Sequence, residues 1–92
     1  MRKTATWMQL LDERILEHID EENWATPRTM FRDVNFDGLR ASEGRIRERC
    51  EMLAQAGLIA PLHSEMYEIT TEGQLYLNGD LDAENLRIWG VG

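Results

Sequence analysis

The stretch "TPRTMFRDVNFDGLRASEGRIRERCEMLAQAGLI", Thr26 to Ile59, decides the fold. Thr26 is a good N-cap. Pro27 suits the first helical position, because its fixed φ fits that turn and its missing N–H would find no partner there. A short helix is expected from about Pro27 to Val34, with Met30, Phe31 and Val34 as its apolar side. In "NFDGL" (35–39) the Asp37-Gly38 pair marks a turn. Ser42 then caps a longer helix on which Ile46, Cys50, Leu53 and Ala54 recur at helical spacing. Gly57 ends that helix in the left-handed conformation that glycine adopts without penalty.

Upstream, Leu11, Ile15, Leu16 and Ile19 give a first helix from about Trp7 or Asp12 to Glu22, with Asp12, Glu13, Glu17, Asp20 and Glu21 on its other faces. Downstream, "LIAPL" (58–62) and "MYEIT" (66–70) are short extended runs around "HSE", a β-hairpin pattern. Thr71 can cap a fourth helix, "EGQLYLNG", closed by Gly79, and Asp82 is a further possible cap. The order is helix, short helix, turn, helix, hairpin, helix. This is a mainly α fold with a small β-hairpin, the layout of a winged helix-turn-helix. The 92 residues fit a single domain, 1–92, without room for a second core.

The charge is uneven. The formal net charge is −7, yet Arg28 to Arg49 holds six arginines against four acids. Lys3 is the only lysine beside nine arginines. An acidic chain with so little lysine suggests a salt-loaded cytoplasm, where carboxylates keep the surface hydrated. Cys50 is the only cysteine, which excludes an internal disulfide and fits a reducing cytoplasm. No apolar run approaches the ~20 residues that span a bilayer, and the N-terminus lacks a secretory pattern. A cytoplasmic location without membrane contact is expected.

The cationic helix-turn-helix suits duplex DNA. Arg45 and Arg47 fall in the first turns of a helix whose N-terminus is partly positive. Their planar forks match guanine O6 and N7. Gly44 allows close approach to a groove, and Glu48 can accept from a cytosine amine. Arg28 and Arg32 suit phosphates that fix the register, Arg40 flanks the helix, and His63 and Ser64 lie at the wing tip. Arg49 sits near the border of the buried stripe, its stem expected to pack while its guanidinium reaches out. The alternation in "EGRIRERCE" (43–51) is equally what a solvated face with i,i+4 ion pairs shows. A module that binds a protein partner and no DNA is therefore the alternative, marked by Arg45 and Arg47 tied to Glu43, Glu48 or Glu51.

"WMQLLDERILEHI" (7–19), the 42–62 pattern of Ser42, Ile46, Cys50, Leu53 and "GLI", and "YEITTEGQLYLNGDLD" (67–82) resemble the haloarchaeal phage phi-H repressor-like winged-helix regulators. More distantly they resemble the MarR/ArsR-type group. The resemblance implies a DNA-binding transcriptional repressor working as a dimer, and its helix N-terminal contacts carry over by position to Ser42, Glu43, Arg45 and Arg47. The chain departs from it at Cys50, where leucine or valine is usual, and in the longer, more acidic connection "MFRDVNFDGLRASEG" (30–44).

Other chemistry has little support. The carboxylates of the first helix form a charged face without a convergent catalytic pair, and no phosphate-binding glycine loop is present. His18, His63 and Cys50 stand at no metal-ligand spacing, so neither metal nor cofactor is expected, and no small-molecule ligand is evident. Trp7, Leu86, Ile88 and Trp89 make both chain ends unusually apolar. They are candidates for a homodimer contact, with folding back onto the same domain as the alternative.

Overall fold

The computed structural model describes residues 2–86, apart from the side chains of Val34, Asn35 and Asp37. Helix α1 (Leu10–Glu22) begins where Gln9 leaves extended backbone, and the Asp12 carboxylate turns back to accept from the Gln9 N–H at 2.8 Å. Its Leu11, Ile15, Leu16 and Ile19 are buried, as their spacing predicts. After it comes β1 (Trp24–Ala25), then α2 (Pro27–Arg32). The Thr26 cap of α2 is reciprocal: Thr26 Oγ1 accepts from the Thr29 N–H, and Thr29 Oγ1 accepts from the Thr26 N–H.

The "NFDGL" passage differs from expectation. Instead of a simple turn, Val34–Leu39 winds into a 3-10 helix, so α2 stops at Arg32, two residues earlier than predicted. Phe36, 3% exposed, drives this by sinking into the core edge-on to His18 of α1, ring centres 5.5 Å apart. His18 Nδ1 also stands 3.7 Å from Asp33, so α1 holds this connection from two sides.

Helix α3 (Glu43–Gln55) starts as predicted, with Ser42 Oγ accepting from the Arg45 N–H at 3.0 Å. Gly57, at φ +85°, ends it. The Gly57 N–H donates to Ala54 O and the Leu58 N–H to Leu53 O, which satisfies the last carbonyls. Ile46, Cys50 and Leu53 face the core, where each large apolar side chain contributes about 1.5–3 kcal/mol by leaving water.

The sheet has three strands, one more than the hairpin predicted. β2 (Ile59–Pro61) and β3 (Tyr67–Ile69) pair antiparallel, with Ile59 opposite Ile69. β1 adds to the other side of β3, Trp24 opposite Glu68, in the order β1-β3-β2. Pro61 lies on an edge strand, where a missing N–H is tolerated. Helix α4 (Thr71–Leu77) is capped by Thr70 rather than Thr71. Thr70 Oγ1 accepts from the Gly73 N–H and donates to Gly57 O at 2.7 Å, which joins the helix start to the root of the wing.

Both ends of the described chain lie on this one domain. The Ala83 N–H donates to Lys3 O, and Thr6 gives its N–H and hydroxyl to Glu84. Arg2 reaches Glu17 at 2.8 Å and Leu77 O at 3.1 Å. Trp7 and Leu86 are half-buried against the core of their own chain, the folding-back arrangement the sequence left open. Ile88 and Trp89 lie outside the described residues.

Candidate nucleic-acid interface

Helix α3 rests on α1 through its apolar stripe and on α2 along its flank, and this leaves Gly44, Arg45 and Glu48 exposed and Arg47 half-buried. The Ser42 cap satisfies one N–H of the first turn, and the exposed N-terminus keeps its partial positive charge. Arg45 hydrogen-bonds Gln9 Oε1 at 2.6 Å and stands 3.5 Å from Glu48. Arg47 hydrogen-bonds Glu65 of the wing tip at 3.1 Å and stands 3.5 Å from Glu43. Both helix pairs are of the kind set out as marking a protein-interaction module. All of them are solvent-facing, however, and such pairs contribute about 0–1 kcal/mol, which an incoming phosphate or base edge can replace.

Arg28, Arg32 and Arg40 are exposed and have no hydrogen bond or ion pair among the described residues. Arg40 lines one groove with Gln9, Leu10, Leu39 and Arg45, so the connection and α3 each bring one cationic group to it. It takes φ +51°, a left-handed conformation costing a non-glycine residue ~1–2 kcal/mol, two residues before the Ser42 cap of α3. Arg28 and Arg32 project from α2, which packs on α3.

At the wing tip, His63 Nδ1 and Ser64 Oγ are 3.3 Å apart and both residues are exposed. Ser64 and Glu65 have φ of +59° and +63°, and the Met66 N–H closes the turn onto His63 O. Hairpins favour this double left-handed turn, normally with asparagine and glycine at its centre. Here serine and glutamate hold it, and nothing in their identity announces it. The sequence therefore missed Glu65 and Gln9, the two residues that hold the α3 arginines from outside the helix.

One expectation is overturned. The Arg49 guanidinium does not reach out: the residue is 7% exposed, and Nε and Nη2 make a bidentate pair with the fully buried Asp12 at 2.8 and 2.7 Å. Nη2 also donates to Trp7 O at 3.1 Å. The hydrogen bonds to Asp12 raise the Arg49 pKa further above its ordinary value. Asp12, read as part of a solvated acidic face, belongs instead to the interior. Its charge is satisfied inside because Arg49, on the buried side of α3, donates to both carboxylate oxygens and the Gln9 N–H donates to one of them.

Cys50 is fully buried, and desolvation, followed by the fields of Asp12 and Glu51, pushes its thiol up to about 12 from 9.0. Because the folded thiol holds its proton longer than the unfolded one, Cys50 contributes stability that is complete below about pH 9 and lost between pH 9 and 12. Native protein at pH 8 is therefore expected to alkylate at the rate of global unfolding, measurable by mass spectrometry after iodoacetamide. Modification within minutes in the absence of denaturant would contradict this.

No group of three or more His, Cys, Asp or Glu among the described residues is arranged to hold a metal ion, and no described helix is long and apolar enough to cross a membrane.

A three-stranded wing, a capped second helix across α2 and cationic side chains along that helix define a winged helix-turn-helix protein. The chain belongs to the winged helix-turn-helix phage repressor family, which it matches over residues 1–88. It is similar to the PhiH1 repressor-like protein from Haloarcula marismortui. That crystal structure superposes with a TM-score of 0.87 at 39% identity, covering 96% of this chain and 97% of the other. Comparison with curated protein sequences gave no match.

Proposed function

We propose that the chain binds duplex DNA sequence-specifically through α3 and acts as a transcriptional repressor in the cytoplasm. The observation that carries this reading is the set of arginines at 28, 32 and 40, exposed and unpaired among the described residues, around a helix N-terminus that presents Arg45 and Arg47. Arg28, Arg32 and Arg40 serve phosphates. Ser42, Glu43, Gly44, Arg45, Arg47 and Glu48 meet base edges and the adjoining backbone, and His63 and Ser64 approach the neighbouring groove. The repressor-like family and neighbour support the regulatory role. The acidity of the rest of the surface, with a single lysine, supports work at high salt. Under those conditions counterion release adds little, and close-range contacts carry the affinity. A homodimer that uses Ile88 and Trp89, with Trp7 and Leu86 packed on their own domain, completes the proposal.

The pairs Arg45–Glu48 and Arg47–Glu43 favour a second reading, a protein-interaction module that leaves DNA alone. Selection of bound duplexes from a random pool at about 2 M KCl, a salt level that screens non-specific attraction, separates the two. An enriched palindrome with half-sites one helical turn apart is expected, as two-fold symmetry requires. Arg45→Ala/Arg47→Ala should lower affinity for it by about a hundredfold, the loss of two base-reading side chains. No enrichment at high or low salt would overturn the DNA reading and favour the protein-interaction module.

A further inference from the structure

Arg45 and Arg49 stand one turn apart on α3, and a chain of hydrogen bonds outside the helix joins them. Arg49 grips the fully buried Asp12 through Nε and Nη2, and Asp12 Oδ2 accepts from the Gln9 N–H at 2.8 Å. Arg49 Nη2 also holds Trp7 O, so the backbone is fixed on both sides of Met8. From that anchored backbone the Gln9 side chain returns to α3, where its Oε1 accepts from Arg45 Nη2 at 2.6 Å. The ring closes on the helix where it began. Its outer end lines the groove with Leu10, Leu39 and Arg40, and among the described residues no carboxylate lines that groove.

Resting on the reading of α3 as the DNA-contacting helix, we infer that Gln9 is a positioning residue that fixes the Arg45 guanidinium for a base edge. An amide oxygen is neutral, so it orients the guanidinium without cancelling its charge, as the Glu48 carboxylate beside Nη1 partly does. It engages one of the five N–H donors, which leaves enough for the two parallel bonds that guanine O6 and N7 accept. The bond to Gln9 therefore survives in the complex, whereas the 3.5 Å pair with Glu48 is what an arriving base replaces. Its anchor is also stiff, because Asp12 and Arg49 are buried and cannot follow an exposed side chain. An arginine already held in place loses less rotamer freedom on binding, and the gain falls on contacts that need direction. A phosphate accepts from many directions, so non-specific binding draws little from it.

The test measures binding by fluorescence anisotropy across a salt series. The probes are the duplex enriched by selection and one random-sequence duplex, and the proteins are wild type, Gln9→Met, Arg45→Ala and Gln9→Met/Arg45→Ala. Methionine keeps the length of the side chain and the backbone N–H that Asp12 holds, but it offers Arg45 no side-chain oxygen. Gln9→Met should bind the enriched duplex about fivefold more weakly and the random one within about twofold of wild type. The slope of affinity against salt should not change, since the same cations meet phosphate. In the Arg45→Ala background the substitution should cost nothing further. Unchanged or tighter binding of the enriched duplex by Gln9→Met would overturn the positioning role, the tighter case by showing that the amide competes with DNA. A changed salt slope, an equal loss on both duplexes, or a loss that persists without Arg45 would overturn it too, by marking an effect on the fold or a direct contact. All of these leave DNA binding intact. Arg45→Ala that binds the enriched duplex like wild type, or wild type that binds neither duplex at any salt, would overturn the reading of α3 itself, and Gln9 with it.

Discussion

Replacing Arg49 by leucine is expected to destabilise the domain by about 3–5 kcal/mol, a large share of what a chain of this length possesses. Asp12 is fully buried, and in the variant its carboxylate would keep only the Gln9 N–H. An unpaired interior charge is what makes the loss so large. Attraction between the two groups matters less, because desolvating both offsets most of it. The double variant Asp12→Leu/Arg49→Leu should accordingly recover most of the deficit, short of about 1 kcal/mol for the lost α1 cap. Urea midpoints of the four proteins give the coupling directly. A single variant costing less than about 1 kcal/mol, or a double variant costing the sum of the two, would contradict this account. The pair also ties the Trp7 backbone to α1 and α3, so its loss should loosen the N-terminal segment together with the helix that carries Arg45 and Arg47.

Arg45, Arg47 and Arg49 show how far the sequence could be read. They occupy alternate positions of one short run, and hydrophobic period alone placed Arg49 at the edge of the buried stripe. What takes it inside is Asp12, 37 residues away, and period carries no information about a partner at that distance. The helices, the caps of α2 and α3 and the end at Gly57 were legible because each depends on chemistry within four or five residues. β1 was not, because two residues have no period and Trp24 and Ala25 become a strand only by pairing with β3. The 3-10 helix was hidden behind an Asp-Gly pair that reads as a turn, and Phe36 overrides that local signal by burying itself against His18. Within the candidate site, the side chains on α3 were legible from spacing. Gln9 and Glu65 were not, since their positions follow from tertiary contact and from left-handed backbone in residues that do not advertise it.

Two glycines, alike in the sequence, should respond to alanine with opposite signs. At Gly73 of α4 a Cβ would press inside van der Waals contact of the Leu58 carbonyl oxygen and stand 2.7 Å from Ile69 Cδ1. The tip of the Ile69 side chain can turn aside, but the carbonyl cannot give way. Leu58 O already accepts from the Thr70 N–H at 3.2 Å, and Thr70 in turn holds Gly57 O and caps the helix. The methyl group must therefore push the start of α4 off the root of the wing, at a cost of about 3 kcal/mol that the better helix propensity of alanine only partly offsets. At Gly44, in the first turn of α3, the nearest atom to an added Cβ is Ser42 Oγ at 3.9 Å, an ordinary contact. Gly44→Ala should raise stability by about 0.5 kcal/mol by restricting the unfolded chain. Thermal unfolding distinguishes the two, with Gly73→Ala expected to lower the midpoint by about 10 °C or more and Gly44→Ala to raise it slightly. A Gly73→Ala protein that melts with wild type would mean that α4 can shift without strain. The close seat of α4 on the wing would then not be what the glycine in "TTEGQLYL" (70–77) provides.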